Sequence, residues 1–199
     1  MKLSGFEKDV LREIGNMGAS YSANSLSEIM NKKVEIRVPD FDVLPLEEFP
    51  NVVGGGEEIV AGILVKFNGD ISGYLMLFYQ LKYALNLADL LLGKELGTTK
   101  ELDEMDISAI QEVGNILGSH FVNTFSDFLG FKIYVSPPNI IVNSDFNEIL
   151  KIFESEDIKL LLMNTSFIES NNNKVNGNLI VLSNAKTLNQ IFDAISEKI

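Results

Sequence analysis

Cysteine and tryptophan are missing from this chain, and histidine occurs once, as His120. Without cysteine there are no disulfides and no thiolate metal sites. With one histidine, neither a histidine-rich metal cluster nor a Ser/His/Asp triad is readily assembled. Basic residues are sparse: 16 Lys+Arg stand against 28 Asp+Glu, a net charge of −12. That balance argues against nonspecific binding to nucleic acid or anionic membranes, both of which run on Lys and Arg. No apolar run approaches the ~18 residues of a membrane span, and no basic start leads into an apolar stretch. The expectation is a soluble, cytoplasmic protein. With 46% hydrophobic and 22% charged residues among 199, the composition is that of a globular chain, long enough for one large domain or two intimately joined halves.

What is present is written twice. Asp9-Val10-Leu11-Arg12-Glu13-Ile14-Gly15-Asn16 returns 99 residues later as Ser108-Ala109-Ile110-Gln111-Glu112-Val113-Gly114-Asn115. The same offset pairs Ser20 with Ser119, Asn24 with Asn123, Ser27 with Ser126, Lys33 with Lys132 and Pro39 with Pro138. Each copy sets a Glu and an Asn three positions apart on a predicted helix, so both project from one face. On the first helix Asp9, Glu13, Asn16 and Ser20 form a polar stripe, with Val10, Ile14, Met17 and Tyr21 as an apolar stripe roughly a quarter turn away. Gly15, Gly18, Ala19 and Ser20 cluster beside the polar pair, although each interior glycine costs about 1 kcal/mol of helix relative to alanine. Two explanations fit: another helix or strand packs closely there, or a partner's backbone approaches the Glu/Asn face.

Along the chain, residues 5–31 predict a helix. Val34–Val38 alternates as a half-buried strand and stops at Pro39, and Phe41–Leu46 continues as a second strand. Residues 47–58 read as a loop; their Gly54-Gly55-Gly56 lacks the GK[ST] ending of a phosphate-binding P-loop. Ile59–Phe67 and Ile71–Tyr79 flank Asn68-Gly69-Asp70, a hairpin signal. A helix over Lys82–Leu92 ends at Gly93, and Lys94–Glu101 is a short linker. The second half repeats the programme: a helix over 103–129, a strand at Phe131–Val135, Pro137-Pro138, a short helix near Asn147–Phe153, strands at Asp157–Ile168 and Val175–Leu182, and a helix over Thr187–Glu197. Gly73 to Phe78 matches Gly177 to Leu182, and Asp89 matches Asp193, at an offset grown to 104. The expected architecture is α+β: one domain of two pseudo-two-fold repeats, about 5–93 and 103–199, sharing an antiparallel sheet with helices packed on it.

An Asn carboxamide is no base, but it can hydrogen-bond a water and aim it. A Glu beside it can accept a charge-assisted bond from a partner's lysine or arginine. So sparse a kit suits a substrate that brings its own metal, counter-charge and reactive group, such as a phosphorylated protein site. Asp9 and Ser108 serve either the chemistry or only the helix starts. His120, at the position of Tyr21, reads as a packed, hydrogen-bonded histidine, and Phe121, Phe125, Phe128 and Phe131 read as core. A glycosidase pairing Glu13 with Glu112 would need the two helices to meet across a cleft of about 5–9 Å.

These residues resemble the CheC-type phosphatases of bacterial and archaeal chemotaxis. The family motif is Asp or Ser, three residues, Glu, two residues, Asn, then twenty-two residues and Pro. Asp9, Glu13, Asn16 and Pro39 fit it, and Ser108, Glu112, Asn115 and Pro138 fit it again. The resemblance implies hydrolysis of the aspartyl phosphate on the response regulator CheY, which supplies Mg²⁺ and the phosphoryl group; the chain brings no cofactor or metal of its own. It implies that Asn16 and Asn115 orient the attacking water and that Glu13 and Glu112 bind the regulator's lysine. CheX-type relatives usually carry one such site and dimerise, and FliY relatives append a further domain; two sites in a chain ending at Ile199 fit CheC better. The resemblance also implies the receptor deamidase CheD as a possible partner, with Asn143–Phe153 as its candidate surface. A noncatalytic adaptor that binds receiver domains or CheD is the alternative.

Overall fold

The computed structural model describes residues 3–38, 41–48, 59–142, 158–169 and 174–197. Helix α1 spans Gly5–Met30, followed by β1 (Val34–Arg37), β2 (Phe41–Pro45) and a 3₁₀ turn at Leu46–Glu48. The hairpin β3 (Ile59–Gly69) and β4 (Gly73–Gln80) leads into α2 (Leu81–Leu91). The second half contributes α3 (Glu104–Leu129), β5 (Ile133–Val135), β6 (Asn139–Val142), β7 (Ile158–Glu169), β8 (Lys174–Asn184) and α4 (Ala185–Ser196). The α+β antiparallel class expected from the sequence is the one found. Strand β6 is not among the elements expected from the sequence. The triple glycine, Pro39, the short helix near Asn147–Phe153 and the candidate CheD surface lie outside the described residues.

The two long helices start in the same way. Ser4 accepts from the Glu7 amide at 3.2 Å while Glu7 accepts from the Ser4 amide at 2.7 Å. Asp103 and Asp106 form the equivalent reciprocal pair at 2.8 and 3.1 Å. Each box satisfies amides that the first turn leaves without helical partners. The helices end on left-handed residues, Asn31 with φ 49° and Gly130 with φ 77°. After Gly130 the Phe131 amide turns back to the Ser126 carbonyl at 3.1 Å, which delays β5 to Ile133.

The strands form one antiparallel sheet in the order β1-β7-β8-β4-β3-β5, with β2 also on β7 and β6 also on β3. Exchanging every element of one half for its counterpart leaves this order unchanged. Val34 faces Glu169 as Ile133 faces Gly69, and Phe41 faces Met163 as Ile140 faces Ile63. At the centre Met76 faces Ile180, its own counterpart 104 residues on. Each half therefore lends its short strands to the other half's hairpin.

The helices bury one face of the sheet, where Ile63, Val65, Leu75, Leu77, Leu179 and Val181 meet Leu11, Ile14, Val113, Leu117 and Phe121. Met76, Phe78, Ile180 and Leu182 on the opposite face are buried as well. Burial on both faces explains why Leu75-Met76-Leu77-Phe78 is apolar throughout and does not alternate. The linker is pinned by buried Asp89, whose carboxylate accepts from the amides of Gly97, Thr98 and Thr99 at 2.7, 3.0 and 3.0 Å. Lys94 crosses from the same linker to buried Asp106 at 2.8 Å.

Candidate functional site

Helix α1 carries Asp9 and Glu13 exposed and Asn16 half-buried; α3 carries Ser108, Glu112 and Asn115, all exposed. Within each copy, Glu and Asn lie on the outer face of one helix, as the three-residue spacing requires. Among the described residues, the side chains of Glu13, Asn16, Glu112 and Asn115 have no hydrogen-bond or ion-pair partner. Asp9 is engaged, its carboxylate pairing with Arg12 one turn on. Pro138 is brought to the second site, where its carbonyl accepts from the Gln111 side chain at 3.2 Å, next to Glu112. Gln111 was missed in the sequence. It aligns with Arg12, one of two positions, with Asp9/Ser108, where the second motif replaces a charged residue by a neutral polar one.

The small residues face inward. A Cβ on Gly18 would stand 3.2 Å from the Cα of Phe121, one on Gly118 would stand 3.0 Å from Val65, and one on Gly114 would overlap Ile63. Of the two explanations for the glycines, close packing of helix and strand is the one realised, and the approach of a partner's backbone is not needed. The apolar stripe also needs correction. Of Val10, Ile14, Met17 and Tyr21 only Ile14 is buried, and Tyr21 is 51% exposed. The buried face is centred on Leu11, Gly15, Gly18, Ser22 and Leu26, about 100° further round the helix.

His120 is held by Ser25, with Nε2 and Oγ 2.9 Å apart, and its ring lies 6.2 Å from that of Tyr21. Phe121 and Phe125 are core residues, and Phe128 and Phe131 pack against it. Tyr21 and His120 are counterparts, so they mark where α1 and α3 cross. The exchange relates antiparallel β4 and β8 while keeping both helices on one face, so its axis stands normal to the sheet and the helices run in opposite senses. Glu13 and Glu112 each precede the crossing by about 12 Å of helix, on opposite sides, which separates them by on the order of 20 Å. A two-carboxylate glycosidase needs them within about 9.5 Å, so that arrangement is not built.

Each site is thus an outward-facing acid and amide on a rigid helix seated on the sheet. The carboxylate can accept a charge-assisted bond from a partner's cation, and the amide can donate to and accept from a water. No group of three metal-ligating side chains occurs among the described residues, and no described helix is long and apolar enough to cross a membrane.

A model of the CheC-like family matches residues 6–42 and again 105–142, one stretch for each site helix. The CheY-P phosphatase CheC of Bacillus subtilis (strain 168) is 26% identical over 202 residues, covering 95% of this chain and 93% of that protein. The flagellar motor switch phosphatase FliY of the same bacterium is 32% identical over 139 residues, covering 69% of this chain and 36% of FliY. The X-ray crystal structure of Thermotoga maritima FliY shares the fold, with a TM-score of 0.80 at 23% identity over 100% of both chains.

Proposed function

Because this chain belongs to the CheC-like family, we propose that it is a cytoplasmic phosphatase that hydrolyses the aspartyl phosphate of the chemotaxis response regulator CheY, at two sites. The observation that carries the reading is the pair of unpartnered Glu/Asn sets, each on the exposed face of a helix that the family model matches. We assign one domain of two repeats, about 5–93 and 103–199, on the symmetric strand order.

In each encounter Glu13 or Glu112 accepts a bond from the regulator's active-site lysine, which fixes the docking register. Asn16 or Asn115 then reaches the phosphoryl group and holds a water in line with it. The water oxygen bonds to phosphorus as the phosphorus–oxygen bond to the aspartate breaks. The carboxylate is regenerated, and phosphate leaves with the water's proton distributed to solvent. Mg²⁺ belongs to the regulator and neutralises charge there. Ordering one water offsets at most about 2 kcal/mol, which corresponds to an acceleration on the order of tens of fold. A modest enhancement suits a regulator of signal lifetime.

The test is the decay of phosphate on CheY in Mg²⁺, alone, with the protein, and with an Asn16→Ala/Asn115→Ala double variant. Faster decay that the double variant loses supports the reading. Binding without acceleration would replace it with the adaptor reading, and CheD would become the next partner to assay.

A further inference from the structure

Two of the large exposed apolar side chains, Phe6 at 47% and Met105 at 66%, are counterparts 99 residues apart. Each is the second residue of a site helix, seven positions before its glutamate. At 100° per residue Phe6 lies within about 60° of the Asp9/Glu13/Asn16 stripe and nearly opposite the buried face. Neither residue is needed to start its helix. The caps are Ser4 with Glu7 and Asp103 with Asp106, and the apolar residues that fold in beside them are Leu3 and Leu102. Behind Phe6 the same margin continues through half-buried Val10 and Met17 to exposed Tyr21. Scattered exposed apolar residues need no explanation. Repetition at one position on two helices, beside the same unpartnered polar pair, does.

We propose that this margin, headed by Phe6 on α1 and Met105 on α3, is the apolar part of the surface on which the phosphorylated regulator docks. The proposal rests on the function given above. The occupant is set by charge and by reach. The free carboxylate two turns along calls for a cation, so the partner face presents a lysine with an apolar patch beside it. Phe6 stands about 10 Å of helix from Glu13, inside the radius of an interface burying about 800 Å² per partner. Glu and Asn then supply register and chemistry, while Phe6 and Met105 supply affinity that does not change between ground and transition states.

The experiment measures kcat and KM for phosphate release from phosphorylated CheY. Phe6→Gln/Met105→Gln keeps good helix formers at both positions and is expected to raise KM on the order of tenfold with kcat near wild type, whereas Phe6→Leu/Met105→Leu retains the wild-type KM. Tyr134→Gln, an exposed apolar change on β5, leaves both constants unchanged. Phe6→Gln in an Asn115→Ala background and Met105→Gln in an Asn16→Ala background read each site separately and serve if the double variant fails to fold. An unchanged KM beside a working wild type overturns the docking margin and leaves the phosphatase reading intact. A change in sedimentation of the Gln variants without CheY would assign the margin to a second copy of the chain and overturn the proposal too. If the wild type accelerates nothing, the functional reading falls. Titration with CheY carrying beryllium fluoride then decides the margin: weaker binding by the Gln variant supports it, and equal binding removes it.

Discussion

Replacing Gly114 by alanine tests whether contact with the sheet holds the second site in place. In an isolated helix the change would stabilise by about 1 kcal/mol. Here the new methyl would stand 2.9 Å from Cβ of Ile63 and closer still to its Cγ2 and Cδ1, and Ile63 is only 1% exposed, so it has nowhere to turn. Overpacking of this kind costs about 1–3 kcal/mol, which leaves a net loss of about 1 kcal/mol and a midpoint lower by about 2–4 °C. To restore a carbon contact of about 3.5–4 Å, α3 must lift from β3 and carry Glu112 and Asn115 with it. A misplacement near 1 Å can cost on the order of a hundredfold where positioning carries the rate, so the whole tens-of-fold acceleration at the second site should be lost. Thermal unfolding, together with CheY-phosphate decay in an Asn16→Ala background, reads both effects at the second site. Adding Ile63→Ala should return part of each, with a coupling of at least about 0.5 kcal/mol. Gly5→Ala, where nothing lies within 4 Å of the added carbon, is the control and should not destabilise. If Gly114→Ala stabilises like an unencumbered helix glycine and turnover is unchanged, the seat does not position the site.

Two further outcomes follow from single contacts. Glu13→Lys/Glu112→Lys reverses the charge at both proposed anchors for the regulator's lysine, so it should weaken CheY binding by at least tenfold, about 1.4 kcal/mol; unchanged affinity would remove the anchor. Lys94 has its pKa raised above the ordinary 10.5, chiefly by its hydrogen bond to Asp106. A raised value means that its contribution to stability is complete below pH 10.5 and is lost as pH climbs through the folded value. The midpoint gap between wild type and Lys94→Met should therefore hold at neutral pH and close at higher pH; a gap that persists well above that value would show that the ammonium is not what matters.

Much of this protein is local and therefore legible. Two capped helices, the hairpin about Gly69 and the Glu/Asn spacing follow from neighbours in the chain. The paired site is legible because three residues on a helix is a fixed geometry whatever surrounds it. Strand β6 escaped because its pairing with β3 is made by residues more than seventy positions away. Tyr21 stays exposed on its apolar stripe for the same kind of reason: composition shows that a helix has an apolar side, while the neighbours decide which part of it is covered.

By itself, then, the sequence determined the duplication, the two outward polar pairs and the element types, since each rests on periodicity or on a repeated motif. Tertiary structure alone decided that the halves exchange their short strands, that Gly18, Gly114 and Gly118 are seats for Phe121, Ile63 and Val65, and that Phe6 and Met105 stay uncovered. Those facts depend on which surfaces meet across long stretches of chain, where burial is shared between partners and no single helix or strand carries the information.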